Sequence, residues 1–185
     1  MLASVLALAF LPLVLSQADP TKVCMPDTIE FITVDLVTDQ IAVVSIDFTK
    51  KLLSSVSPNR TVVDDIANSK SYVIDATGNC QSYDAPLSAL YPQCLPATAQ
   101  LEDNIYIGFG PERLQAEAWF INPYSGGTLR LAFSKQPNQP SYPVLSKFVD
   151  SNGDVFTTFY VNPNTTISNP DSFKIPDPCP PSVIV

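Results

Sequence analysis

The sequence predicts an all-β, antiparallel protein, and three observations carry that prediction. Proline is abundant, at 18 of 185 residues. Long helical patterns are absent. Apolar residues instead alternate with period two in one short run after another, the pattern of half-buried strands. Several runs are apolar on one face only, which suits a curved sheet or a sandwich with one wet side.

Taken in order, Thr28 to Val37 sets Ile29, Phe31, Thr33 and Asp35 against Glu30, Ile32, Val34 and Leu36. The polar link Thr38-Asp39-Gln40 leads into a second strand from Ile41 to Thr49. Further strands are predicted over Arg60 to Val63, Lys70 to Asp75, Asn104 to Phe109, Leu114 to Ile121 and Thr128 to Phe133. The last two flank Asn122-Pro123-Tyr124-Ser125-Gly126-Gly127, a turn with its glycines at the end. Val144 to Asp150 and Val155 to Val161 flank Ser151-Asn152-Gly153-Asp154. Asn-Gly between apolar runs is a strong hairpin signal, because a type I′ turn needs positive φ at both central residues. Ser88 to Ala99 has a faintly helical look, but its prolines predict a loop. No internal repeat is visible, which argues against a propeller or solenoid.

Ahead of these strands, Leu2 to Leu15 is an apolar run broken only by Ser4 and Pro12. It is short for a membrane span, and the small residues Ser16-Gln17-Ala18 follow it. We read residues 1–18 as a signal peptide, cut after Ala18 or Ser16, although the usual positive charge ahead of the apolar run is missing. Residues 19–185 then form a single secreted β domain of ordinary size. No second hydrophobic segment is long enough to span a bilayer, so no transmembrane anchor is expected.

Cys24, Cys80, Cys94 and Cys179 all follow the leader. An even count in an exported chain reads as a disulfide framework, and four cysteines allow three connectivities. No pair forms C-x-x-C and histidine is absent, which argues against a zinc site or a redox pair. The formal charge of −8 argues against nucleic acid and anionic membranes as partners. It permits calcium as a weakly held cation without marking a site for it. Two glycosylation sequons, Asn59-Arg60-Thr61 and Asn164-Thr165-Thr166, sit in polar loop sequence.

Chemistry is hard to build from these residues. Without histidine, neither a Ser-His-Asp triad nor a Cys-His pair can form. Asp75-Ala76-Thr77-Gly78 has a faint likeness to the Asp-Thr-Gly turn of aspartic proteases, but with the wrong spacing and no second copy. It reads as a turn leading into Cys80. The acidic pairs Asp64-Asp65 and Glu102-Asp103 read as polar loops. Asp150 to Asp154 departs from an EF-hand, with glycine fourth and Val161 at the twelfth position. The residues argue against an enzyme. The aromatic residues are the more informative resource. Trp119, Phe109, Phe133, Phe148 and Phe159 come from neighbouring predicted strands. They form either a packed core or the wall of a cavity that takes an apolar ligand.

Several motifs, in order, resemble the ependymin family. Val23-Cys24-Met25-Pro26 is similar to its opening Cys-x-Pro, and Ser71-Tyr72-Val73-Ile74-Asp75 with Thr77 and Cys80 to its aromatic strand. Ile107-Gly108 and the Glu117/Trp119 strand follow in the same order. The stretch from Ile167 to Cys179 resembles the family's closing Asn/Asp-Pro, Phe, Pro and final Cys. The resemblance spans Val23 to Cys179. One departure stands out: Ser141-Tyr142-Pro143-Val144 replaces a late Cys-Tyr-Pro-Val whose cysteine often bonds the first one. The resemblance implies that Cys80 pairs with Cys179, which leaves Cys94 for Cys24.

The resemblance further implies two curved antiparallel sheets, as a half-barrel or sandwich, enclosing a hydrophobic pocket in the manner of bacterial lipoprotein carriers. It implies a secreted glycoprotein that binds a fatty-acid or other lipid-like ligand, and it carries over no catalytic residue. The alternative it implies is a calcium-dependent component of the extracellular matrix or of cell adhesion, with no required lipid. Homodimer formation is left open.

Overall fold

The computed structural model describes residues 18–85, 87, 91–122, 127–136 and 139–181. The leader up to Gln17, most of the Asn122 to Gly127 turn, Ser88 to Leu90 and the tail from Ser182 lie outside them. The described chain is all-β. Eleven antiparallel strands run β1 (Thr28–Asp35), β2 (Ile41–Asp47), β3 (Leu52–Val56), β4 (Arg60–Asp65), β5 (Lys70–Asp75), β6 (Cys80–Asp84), β7 (Gln100–Ile107), β8 (Leu114–Ile121), β9 (Thr128–Ser134), β10 (Pro143–Val149) and β11 (Val155–Asn164). Three short 3-10 turns, Pro20–Lys22, Gly110–Glu112 and Pro170–Phe173, lie between and beside the strands.

All eleven strands belong to one open sheet in the order β6-β5-β4-β3-β2-β1-β11-β10-β9-β8-β7. The two-sheet expectation is corrected here. Two meanders, β1 to β6 and β7 to β11, join where β1 pairs with β11. The pairing slips between Glu30 and Ile32. It does so opposite Asn162, which takes φ 53°, next to Pro163, which has no N–H for the ladder. The bulge therefore joins the two meanders without breaking the sheet.

The connection from β6 to β7 shows that the sheet is curved. Ala85 to Ala99 must pass from one edge strand to the other. A flat sheet of this size would measure about 48 Å from edge to edge. The connecting residues reach about 50 Å only when fully extended. Yet the segment spends residues on a turn, with the Ala99 N–H bonded to the Pro96 carbonyl, and it packs Leu95 and Ala99 into the core. Only a sheet curled toward this connection brings its edges close enough.

The predicted hairpins form, with one correction. Val149 pairs with Val155, but the connection is five residues long and Gly153 alone has positive φ, at 89°. Asp150 holds the loop by accepting from the Asn152 and Asp154 N–H groups, so the type I′ turn is replaced by a carboxylate-tied one. The Asp75 turn forms as read, with Thr77 and Asn79 donating to its carboxylate. These bonds hold the Asp75 carboxyl down at about 2. Asp64-Asp65 and Glu102-Asp103 are corrected from loops to strand residues in β4 and β7. Strands β3 and β6 have no counterpart in the sequence reading.

Candidate functional site

Register decides which side chains share a face. On the concave face, the cross-strand row Ile29, Ile46, Leu53, Asp64 runs through β1 to β4. On the other half of the sheet the row Leu129, Ile121 and the row Leu131, Trp119, Leu101 stand on the same face. Two buried clusters result. One joins Trp119, Ile121 and Phe133 to Leu95 and Ala99, flanked by Val23, Met25, Leu101, Leu129 and Leu131. The other joins Ile29, Phe31, Ile46 and Leu53, flanked by Val44, Phe48, Tyr91, Tyr142 and Tyr160.

No second sheet covers this face among the described residues. Its cover is made of residues 18–27 and the described part of the β6–β7 connection, chiefly residues 91–99. These two pieces are stitched to each other: the Met25 N–H donates to the Gln93 carbonyl and the Leu95 N–H to the Val23 carbonyl. The Gln93 amide adds bonds to the Met25 carbonyl and the Asp27 carboxylate. The Cys24–Cys94 disulfide closes the pair. The cover thus carries apolar side chains into the core while making few backbone bonds to the sheet.

Polar groups inside the concave face are few and specific. Asp64 is 4% exposed, and its Oδ1 has no hydrogen-bond partner among the described residues. Tyr91 lies beside it; burial, then the Asp64 charge, push the Tyr91 hydroxyl up to about 12. The Tyr160 hydroxyl is also raised by burial. It lies 3.0 Å from Ser146 Oγ, and its ring meets Phe31 edge-on at 5.1 Å. In the other cluster Trp119 is 0% exposed and its Nε1 is likewise unpartnered. At the rim of that cluster Lys135 reaches the buried Glu117 carboxylate.

The five aromatic residues singled out by sequence do not form one wall. Trp119 and Phe133 are buried together in one cluster. Phe148 shares their face, stacked on Phe156 with ring centroids 6.2 Å apart. Phe159 pairs with Leu145 and Val34, which puts it on the opposite face by the alternation of the pleat. Phe109 lies beyond the end of β7 and is 99% exposed, so it lines no interior. Tyr160, counted among the strand aromatics by sequence, does face this interior, whereas sequence reasoning missed Tyr91 and read Asp64 as part of a loop. The interruption of an apolar run by Asp64, directly after Val62-Val63, was the one available signal.

Among the hollows of the described surface, two open ones lie away from Trp119. One, of about 290 Å³, lies among Thr33, Asp35, Ala42, Ser55, Arg60 and Thr158, beyond the Phe31 cluster. The other, of about 360 Å³, opens at Asn68, Ser69, Asp84 and Ala85, where the cover leaves the sheet. Among the described residues, no group of three or more His, Cys, Asp or Glu side chains converges to hold a metal ion. No described helix is long and apolar enough to cross a membrane. Both sequon asparagines, Asn59 and Asn164, are exposed, Asn59 between β3 and β4 and Asn164 at the end of β11.

The convex face of β1 to β6 is built differently. A second row, Glu30, Ser45, Ser54, Val63, Tyr72 and Ser82, crosses these six strands. The C-terminal segment lies along it. Ser168 bonds Glu30, Ser172 accepts from Ser54, and the Ser82 N–H donates to the Pro180 carbonyl. The Cys80–Cys179 disulfide fastens its end.

No family model matches the chain, and no curated protein matches it. Among solved structures it is similar to an uncharacterized conserved protein from Thermus thermophilus. The TM-score is 0.57 at 12% identity, over 84% of this chain and 89% of that one. At this identity the likeness is one of fold alone.

Proposed function

We propose that this protein is a secreted, ependymin-like carrier that holds a hydrophobic ligand against the concave face of its sheet. One observation carries the reading: among the described residues, the apolar clusters on this face of both halves of the sheet are covered by residues 18–27 and 91–99 rather than by a second sheet. Displacing that cover breaks few sheet hydrogen bonds, because its backbone bonds run mainly within itself. The cover fills the site with Tyr91, Leu95 and Ala99. A ligand takes their place, and its buried apolar area replaces theirs at about 25 cal/mol per Å². The two disulfides support the extracellular setting and match the pairing that the ependymin resemblance implies. Asn59 and Asn164 are accessible for glycans.

The test is solvent extraction and denaturing mass spectrometry of the protein purified from a secreting cell. A stoichiometric lipid or other apolar small molecule is expected. Recovery of none, together with no binding of a fluorescent acyl probe to the purified protein, sinks the carrier reading.

A further inference from the structure

We infer that the concave face selects amphiphiles whose head group donates a hydrogen bond, an amine or a hydroxyl, and that Asp64 is the residue that receives it. The inference rests on the carrier reading and names the ligand class of that same site. Asp64 interrupts a row whose other members on β1 to β3, Ile29, Ile46 and Leu53, are all buried and apolar. A buried carboxylate oxygen without a partner is costly, because it has lost water and gained nothing in return. Native interiors rarely keep such a group unless a partner arrives from elsewhere.

The surroundings fit an incoming donor. Asp64 sits at the border of the Phe31 cluster, where an apolar chain would lie. The Tyr91 hydroxyl bonds the same carboxylate, which leaves Oδ1 as its open acceptor, and the Tyr160 hydroxyl is engaged with Ser146. Among the described residues, no lysine or arginine side chain bonds Asp64. Ser71, its pair on β5, stands next to the hairpin where the 360 Å³ hollow opens at Asn68, Ser69, Asp84 and Ala85. An ammonium or hydroxyl head reaching Asp64 would satisfy Oδ1. A carboxylate head would instead meet a like charge where water cannot screen it, so the same residue selects and rejects.

Three chain-matched probes, dodecylamine, dodecanol and dodecanoate, test this by calorimetric titration of the full oxidised protein near pH 7, below their aggregation limits. Dodecylamine and dodecanol are expected to bind at least tenfold more tightly than dodecanoate. In Asp64→Leu that preference should fall to threefold or less. In Asp103→Asn, which removes one exposed charge remote from the site, it should persist, so that the overall negative charge is separated from Asp64 itself. Equal or tighter binding of dodecanoate to the unaltered protein overturns the assignment while leaving the carrier reading standing. Binding of none of the three overturns both. If Asp64→Leu does not fold by near-ultraviolet circular dichroism, Asp64→Asn takes its place. It should then retain dodecanol and lose tenfold in dodecylamine, and an unchanged amine affinity counts against the proposal.

Discussion

The two irregular covers of the sheet solve the same problem with opposite chemistry. On the concave side, residues 18–27 and 91–99 bring Val23, Met25, Leu95 and Ala99 onto Trp119, Ile121 and Phe133. On the convex side, residues 165–181 lie on a row of serines and bond them directly, through Ser54–Ser172, Ser168–Glu30 and the Ser82 amide. One disulfide, Cys24–Cys94, ties the two pieces of the concave cover to each other, and the other, Cys80–Cys179, fastens the C-terminal cover to β6. The difference lies in what release would expose. Lifting the C-terminal cover strands hydrogen-bonding groups that water can satisfy. Lifting the other exposes two large apolar clusters that water cannot satisfy.

The contrast is most directly broken at Trp119. Trp119→Ala removes the largest fully buried side chain and should cost about 3–5 kcal/mol in chemical denaturation. A loss under about 1 kcal/mol would mean that the cover collapses into the space and is not held by this contact.

Next come the disulfides. Replacing Cys24 and Cys94, or Cys80 and Cys179, by serine should cost about 2–5 kcal/mol in either case. Their loops span 70 and 99 residues, a difference worth only about 0.3 kcal/mol in the chain-entropy picture. Stability therefore hardly separates them, but the single tryptophan does. Emission from Trp119 should shift to the red when Cys24–Cys94 is lost and stay unchanged when Cys80–Cys179 is lost. The reverse pattern would assign the covers wrongly.

A smaller effect sharpens the polar side. Ser54→Ala leaves the Ser172 hydroxyl without its 2.8 Å partner and should cost about 1 kcal/mol. Hydrogen exchange should rise at the Ser82 amide but not at Met25 or Leu95.

The smallest effect is read by pH. Tyr91 and Tyr160 have folded pKa values raised above the ordinary tyrosine value of 10.0. The unfolded chain therefore loses those protons first as pH rises. The Tyr91 contribution to stability is complete below about pH 10 and is lost on the way to about pH 12, and that of Tyr160 is lost in the same direction. Absorbance titration should show a late-ionising group, Tyr91 and Tyr160, that normalises in denaturant. If no late group appears, the Tyr91 and Tyr160 hydroxyls are open to water and the concave face is not closed.

Much of the fold was legible in the sequence, and the misses are instructive. Leu114–Ile121 and Lys70–Asp75 were read with the bounds they have, because alternation and flanking turn residues agree there. Strand β6, Cys80-Gln81-Ser82-Tyr83-Asp84, was missed because its buried side chains are a half-cystine and a serine, which carry no hydrophobic signal. Strand β3 was missed because Ser54, buried against Ser172, looks like a surface residue. The site was less legible than the fold. Aromatic residues drew attention to Phe109 and Phe159, yet exposure and register remove the first from the interior and place the second on the other face.

By itself the sequence determined the strand content, the two-sided character of the strands and the set of cysteines available to brace them. Those properties are local, since period two and turn chemistry need no distant partner. Tertiary structure alone decided that the strands make one curled sheet rather than two, and that chain from both ends of the domain covers its two faces. It also set Asp64 among apolar neighbours. These outcomes depend on the β1–β11 pairing and on the reach of the β6–β7 connection, which join residues far apart in the chain and leave no local periodicity to read.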